Sequence, residues 1–152
     1  MALKGSAKIE LVNADGTREV VEHGNMITDA VNDLLYSPRG EQSNILRMCN
    51  NGDNFIEQIF GGILLFKHRL SDDKSDYYIQ SIDTTGYANL SAYGGLDAER
   101  GGFNQIESGL QDDGSYNLVW DFSTSQANGV IQSIGLCPNL MGKIGLSSNV
   151  VS

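Results

Sequence analysis

The sequence predicts a mainly β protein: an antiparallel β-sandwich or jelly-roll-like domain with one short α-helix over about residues 27–36. Three observations predict this class. Short alternating polar and apolar stretches recur along the chain, and turn-forming residues separate them every ten residues or so. Glycine accounts for 18 of 152 residues, a level that is typical of many tight turns. Only one segment has the clear apolar periodicity of a helix.

Residues 7–22 predict a β-hairpin. The residues from Lys8 to Leu11 alternate between polar and apolar, and Val20-Val21 supplies a β-branched partner strand. Between them, Asp15-Gly16 tolerates the positive φ angles that a hairpin turn requires.

Residues 27–36 form the predicted helix. Thr28 is placed to cap it, and Asp29 suits the positive end of the helix dipole. Five apolar residues share one face: Ile27, Ala30, Val31, Leu34 and Leu35. The segment Ser37-Pro38-Arg39-Gly40 then ends the helix. A helix this short needs packing against a sheet to be stable.

The middle of the chain gives weaker signals. A weak pattern suggests a short helix around residues 44–49, residues 50–54 predict a turn, and Gln58–His68 predicts a strand that is buried on both faces. Residues 71–76 predict a solvated loop. Asp72 and Asp76 have a spacing compatible with a calcium loop, but the glycine and the distal glutamate of such a loop are lacking.

Residues 77–114 are rich in glycine, serine, asparagine and aspartate, with short strands expected at 77–79 and 103–107. Gly94-Gly95 and Gly101-Gly102 predict sharp reversals. A long irregular region in a compact domain usually serves as a functional or interface surface. We therefore expect the tyrosines of this region to form a contact surface: Tyr77, Tyr78, Tyr87 and Tyr93. The reason is that amphipathic rings suit interfaces.

The C-terminal part predicts a hairpin that closes a sheet. Residues 116–122 alternate apolar and polar, 125–129 form a turn, and 130–137 run back. The expected core of this hairpin consists of Leu118, Trp120, Phe122 and Ile134. We expect one β-rich domain over residues 1–140, followed by a Gly/Ser-rich tail or linker at 141–152.

Composition and charge restrict the partners. The net charge is −9, and the ten Lys and Arg are scattered singly, whereas a polyanion or an anionic membrane needs clustered cations. We therefore expect no binding to nucleic acid. We also expect no membrane insertion, since the longest apolar run, 63–66, is too short to cross a bilayer. Residues 1–7 contain no apolar stretch of the kind expected in a signal peptide. Cys49 and Cys137 are expected to be reduced thiols in a protein made in the cytoplasm.

The motifs of catalysis are missing. His23 and His68 lack zinc-site spacing, and neither a Gly-x-Ser-x-Gly elbow nor a phosphate loop occurs. We therefore predict no catalytic, cofactor or metal site. Asp112-Asp113 and Asp121 are the only carboxylates considered for glycan hydrolysis, and turn and surface roles are favoured for them.

Three segments resemble one protein family. The segment from Gly24 to Leu35 (GNMITDAVNDLL) is similar to an N-terminal helix of tail-associated structural proteins from phages of Gram-positive hosts. The segment from Trp120 to Ile131 (WDFSTSQANGVI) resembles a second block of these proteins, and Arg100 to Ser108 (RGGFNQIES) resembles a third. The blocks occur in the expected order.

The resemblance implies a non-enzymatic virion component of tail, baseplate or fibre, often the N-terminal module of a longer protein. Its expected partners are copies of itself and other virion proteins, with the first strand and the segment after Pro138 as candidate contacts. The alternative is a module in which the tyrosine-rich region recognises host cell-surface polysaccharide. Its expected location is the virion, after synthesis in the bacterial cytoplasm.

Overall fold

The computed structural model describes residues 4–29, 31, 55–76 and 83–137. These residues belong to two compact units. The first contains residues 4–29, 31 and 72–76, and the second contains 55–71 and 83–137. The chain is mainly β, with antiparallel pairing in every named sheet, which confirms the predicted class. The sandwich arrangement and the single domain over 1–140 stay predictions.

The first unit contains the predicted N-terminal hairpin. Strand β1 (Gly5–Val12) pairs with β2 (Arg18–Asn25) in a continuous antiparallel register that sets Ile9 opposite Val21. Gly16 has a φ of 82°, the left-handed conformation expected for an Asp-Gly turn. Asp15 fixes the same turn, because its carboxylate accepts hydrogen bonds from the backbone N–H and the hydroxyl of Thr17.

The predicted helix at 27–36 lies largely outside the described residues. Asp29 and Val31 are helical, and the Val31 N–H donates to the Thr28 carbonyl at 3.1 Å, so the helix begins where the sequence predicts. The Asp29 N–H donates to the Lys74 carbonyl at 2.9 Å, which ties this turn to the loop at 72–76. The possible helix at 44–49, the turn at 50–54 and the strand at 77–79 also lie outside the described residues.

The second unit is organised around a three-stranded sheet. Helix α1 (Phe55–Phe60) leads into strand β3 (Gly62–Phe66), which pairs on one side with β4 (Thr84–Ala88) and on the other with β9 (Ser133–Cys137). The core cluster consists of three buried residues, Leu64, Phe66 and Tyr87. Leu70 and Cys137 are partly buried and pack against it.

The prediction of a strand from Gln58 to His68 is wrong at both ends. Gln58 to Phe60 belong to α1, and only Gly62–Phe66 forms the strand. Ile56, Ile59 and Phe60 have the spacing of one helix face, which the strand interpretation overlooked. A Cβ at Gly61 would lie 2.1 Å from the Glu57 carbonyl oxygen, so only glycine fits where the helix meets the strand.

Strand β4 was not predicted, and it is the most completely buried strand among the described residues. Its sequence, TTGYA, is small and partly polar, so it does not have the apolar pattern of a core strand. The expected strand at 103–107 is also wrong, because only Gly102–Phe103 is a strand (β5) and residues 105–107 form a turn.

The predicted C-terminal hairpin is wrong. The alternating segment 116–122 breaks at Leu118-Val119 into β7 (Tyr116–Asn117) and β8 (Trp120–Asp121). Strand β7 pairs with β6 (Gly109–Leu110), β8 pairs with β5, and β9 pairs with β3. A turn does follow at 124–127, but the chain then returns to a different sheet. Alternation identifies a pleated segment but not its partner.

The residues expected to form the core of that hairpin are distributed accordingly. All four are half-buried: Leu118, Trp120, Phe122 and Ile134. Trp120 lies on β8 and Ile134 on β9, whereas Leu118 and Phe122 lie outside the strands. Trp120 packs at a tilt against Phe103, with ring centroids 6.3 Å apart. Ile134 pairs with Leu65 across the β3–β9 ladder. Trp120 and Ile134 therefore belong to two different sheets of the unit.

Candidate functional site

A concave surface of about 310 Å³ lies beside the β5–β8 pair. We call it the groove, and it is lined by Ala92, Tyr93, Gly102, Phe103, Asp121, Phe122, Ser123 and Gln126. It combines three aromatic rings with a carboxylate, a hydroxyl and an amide. The groove is open to solvent, and its volume is at the lower end of the ~300–1,000 Å³ that small-ligand sites usually have.

Glycines allow the walls of the groove to approach closely. A Cβ at Gly102 would lie 2.7 Å from the Tyr93 backbone nitrogen, and one at Gly101 would lie 2.6 Å from the Phe122 ring. The predicted reversal at this pair is therefore wrong: Gly102 lies in strand β5, and both glycines serve close packing. The Phe103 N–H donates to the Ser91 carbonyl, which holds the opposite wall in place.

The Tyr93 side chain is fixed by two contacts. The Arg100 guanidinium lies 4.3 Å from the centre of its ring, and its hydroxyl accepts a hydrogen bond from the Asp97 N–H at 3.0 Å. The cation–π contact and the hydrogen bond together hold the ring in one orientation. Tyr93 thus contributes a preorganised wall to the groove.

The loop after β8 shapes the opposite side. The Gln126 N–H donates to the Ser123 carbonyl, and the Ser123 N–H donates to Gln126 Oε1 at 2.8 Å. Asn128 Nδ2 donates to the Thr124 carbonyl, and Ala127 has a positive φ of 50°. This reciprocal bonding explains why a run of Ser, Thr, Gln and Asn forms one defined turn.

The polar groups of the groove are positioned by this loop and by β5–β8. Asp121 Oδ2 accepts a 2.8 Å hydrogen bond from Asn104 Nδ2. The Gln126 side chain is 8 % exposed, and its Oε1 is engaged by Ser123. The Gln126 Nε2 amide makes no hydrogen bond to the described part of the chain. The groove therefore offers both donors and acceptors.

The predicted contact tyrosines separate in the structure. Tyr93 lines the groove, whereas Tyr77 and Tyr78 lie outside the described residues. Tyr87 is 3 % exposed, so the expectation that it belongs to a surface is wrong. Its ring packs in the core of β4, and its hydroxyl donates to Asp97 Oδ2 at 3.1 Å. Burial, followed by this bond, raises the pKa of Tyr87.

Three carboxylates are held in turns. Asp15, Asp73 and Asp113 each accept bonds from a Ser or Thr two residues later, and these bonds lower the pKa of each. A general acid of glycan hydrolysis needs a raised pKa. The Asp113 carboxylate, bonded to the N–H and hydroxyl of Ser115, therefore has the geometry of a turn residue.

Nothing in the sequence pattern identifies Gln126 or Phe103 as groove residues. The sequence raises Asp121 only as a carboxylate for glycan hydrolysis, with a surface role favoured. A glutamine in a Ser/Asn-rich turn is indistinguishable from a solvated residue until the loop bonds are known. The nearest signal in the sequence was the glycine pair at 101–102, which indicates close backbone approach as readily as a turn.

The described ranges contain no group of three or more His, Cys, Asp or Glu side chains that could hold a metal ion. In the same ranges, no helix is both long and apolar enough to span a membrane. No family model, curated protein or solved structure matches the chain.

Proposed function

We propose that this chain is a non-enzymatic structural module of a phage particle, and that it assembles with copies of itself through the β1–β2 hairpin. The resemblance of three sequence blocks to tail-associated phage proteins suggests the particle. The observation that carries the assembly role is the exposure of this long hairpin on both faces.

The exposure of the hairpin is unusual for its composition. Leu11, Val12, Val20 and Val21 are between 40 % and 62 % exposed, on a ribbon whose two strands have eight residues each. A two-stranded ribbon alone is marginally stable in water. A further strand at the edge of β1 would stabilise it by bonding to the free backbone groups and by packing beside Leu11 and Val12, and a second copy can supply that strand.

The free edge of β1 has a defined set of hydrogen-bonding groups. The Asn13 N–H donates to the Thr17 carbonyl, so 13 and 17 form a hydrogen-bonded pair. Such pairs alternate along an antiparallel ladder, and odd-numbered residues of β1 therefore bond to β2. The backbone groups of Ser6, Lys8, Glu10 and Val12 point to the opposite edge. No bond from them to a residue outside the hairpin occurs in the described part of the chain.

Charge selects one register for an added copy of β1. Antiparallel pairing centred on Ile9 places Lys8 of each copy opposite Glu10 of the other, and these are outward-facing positions. Shifting the pairing by two residues in either direction sets Lys8 against Lys8, or Glu10 against Glu10. Opposite charges in facing positions stabilise a strand pair and like charges destabilise it. The centred register also sets Ala7 opposite Leu11 on the more apolar face.

The described blocks of the resemblance support a structural role. Residues 100–108 and 120–131 contact one another, since β5 pairs with β8 and Asn104 bonds to Asp121. Within the second block, Ser123, Gln126 and Asn128 bond to their own loop. These side chains maintain the fold, as expected for a family whose shared residues are architectural. The predicted sandwich or jelly roll fits such a module.

Light scattering across a concentration series tests the proposal. We expect a mass of two or more chains, and a single chain for Lys8→Pro, because proline removes an outward-facing N–H from the β1 edge without breaking the β1–β2 ladder. Glu22→Pro is the matched control, since Glu22 lies opposite Lys8 and faces the other edge. A monomer up to ~1 mM, or equal loss of assembly in both variants, would contradict pairing through β1.

A further inference from the structure

We infer that the groove beside β5–β8 is a binding site for a neutral carbohydrate chain. This site is separate from the hairpin and does not depend on the assembly proposal. It rests on one side-chain amide group with no protein partner in the described chain, two further polar groups and three aromatic walls, all in the second compact unit.

Gln126 provides the strongest argument. Its side chain is more than nine-tenths buried, and its Oε1 orientation is fixed by the N–H of Ser123. The Nε2 group can donate two hydrogen bonds, has no partner in the described part of the chain, and belongs to a residue that lines the groove, where it is accessible to solvent. A side chain held in one orientation with its donor group accessible in the groove is placed to bond to an acceptor on a ligand.

Asp121 and Ser123 supply complementary groups on the same wall. Asp121 Oδ2 is engaged by Asn104, which positions the carboxylate and leaves Oδ1 as an acceptor. The Ser123 hydroxyl lies 3.1 Å from that of Ser125 and can donate or accept. A sugar hydroxyl is both donor and acceptor, so it can bond to an amide, a carboxylate and a hydroxyl in turn.

The rings complete the match to carbohydrate. Tyr93, Phe103 and Phe122 line the groove, and the Arg100 and Asp97 contacts hold Tyr93 in place. Aromatic walls pack against the apolar C–H face of a sugar, while its hydroxyls reach the polar groups. Because the groove is open and of modest volume, it suits a short stretch of a longer glycan.

Charge argues for a neutral ligand. The lining contains the Asp121 carboxylate and no Lys or Arg, and the whole chain has a net charge of −9. An anionic sugar would be repelled in this setting. A peptide strand is also disfavoured, since the backbone N–H groups of Phe103 and Asn104 are already bonded to Ser91 and Val119.

Nuclear magnetic resonance titration of the full chain provides the test. The probes are maltotriose, chitotriose and mannotriose, with sialyllactose as the anionic comparison. We expect saturable shifts of the Gln126 side-chain amide signal with at least one neutral trisaccharide, at a Kd on the order of 1 mM. Tighter binding of sialyllactose than of all three neutral sugars would overturn the charge argument.

Matched variants locate the binding. Gln126→Glu keeps the oxygen that Ser123 requires and removes the amide donors, so we expect about tenfold weaker binding or more with the fold retained. Asp121→Asn should weaken binding in the same way. Gln105→Glu and Glu107→Gln make the same chemical changes on an exposed turn outside the groove, and they should bind as the parent does. No saturable shift with any neutral sugar, or equal effects of groove and turn variants, would overturn the proposal.

Discussion

The hydroxyl of Tyr116 on β7 donates a 2.6 Å hydrogen bond to Oε1 of Glu57 on α1. The bond joins a helix to a hairpin whose strands, β6 and β7, have only two residues each. Burial of the phenol, followed by this bond, raises the pKa of Tyr116 to about 12. The contact therefore exists only while the tyrosine is neutral.

This pKa predicts a loss of stability in alkaline solution. In an unfolded chain tyrosine ionises at about 10, so the contribution of Tyr116 is fully present below that pH and is lost as the pH rises towards 12. Tyr87, whose pKa is also raised, acts in the same direction. The free energy of unfolding of Tyr116→Phe should fall less steeply over this range, measured by urea denaturation. Parallel curves would count against the assignment.

Gly86 is predicted to be intolerant of a methyl group. A Cβ there would lie 2.7 Å from the Ala127 Cβ and 3.1 Å from the Glu99 carbonyl oxygen. We expect Gly86→Ala to reduce the free energy of unfolding by ~1–3 kcal/mol through overpacking. Gly94→Ala is the control, because no atom lies within 4 Å of its added Cβ. Equal thermal stability of the two variants would contradict the packing of β4 against this loop.

Ala127 is predicted to be a site of strain. Its φ of 50° is one that residues with a Cβ rarely adopt. Ala127→Gly should therefore stabilise the protein, by ~1 kcal/mol or less after the greater chain entropy of glycine is included. The same change should partly rescue Gly86→Ala, since it removes the methyl group that the new Cβ meets. A melting temperature lowered by Ala127→Gly would show that the methyl contact outweighs the backbone strain.

The β1 register predicts a specific exchange of partners. Lys8→Glu places acid against acid in a self-pair, and Glu10→Lys places base against base, so each variant alone should assemble poorly. Mixed together, the two variants should form a mixed pair, because every facing position then carries opposite charges. Native mass spectrometry of the mixture measures this directly.

The mixing experiment has a matched control on the other strand. Glu19→Lys makes the same charge change as Glu10→Lys but lies on β2, opposite Leu11. Mixing it with Lys8→Glu should give no preference for the mixed pair. Preferential pairing in that control would indicate attraction of net charge instead of the proposed register.

Cys137 is predicted to be an unreactive thiol. Burial raises its pKa to about 12, so the thiolate that reacts with alkylating agents is scarce at neutral pH. In a Cys49→Ser background, labelling of the native protein by iodoacetamide should be ~100-fold slower or more than in urea. Rapid native labelling would mean that the β3–β9 edge opens readily.

Local signals predicted the first hairpin well. Asp15-Gly16, flanked by alternating residues, sufficed, because the turn and both strands lie within 21 residues. The beginning of the helix at Thr28 was predicted for the same reason. In both cases the interactions that form the element come from neighbours in sequence.

The sheet of the second unit depends on distant neighbours, and this explains the failures. Strand β9 pairs with β3, about 70 positions earlier, although the segment at 116–122 looked like its partner. Thr84–Ala88 is buried because of where it pairs, and its own residues are small and partly polar. The same holds for Tyr87 and Gln126, whose burial depends on packing against segments far along the chain.

The order of strands in that sheet also affects how the protein is made. Strand β3 lies between β4 and β9, so one of its edges stays uncovered until residues 133–137 leave the ribosome. During synthesis the apolar strand β3 (GILLF) therefore has one unpaired edge, and an unpaired apolar strand favours association with other nascent chains. Folding of this unit is a late event, and a messenger truncated before residue 133 would yield a product prone to aggregate.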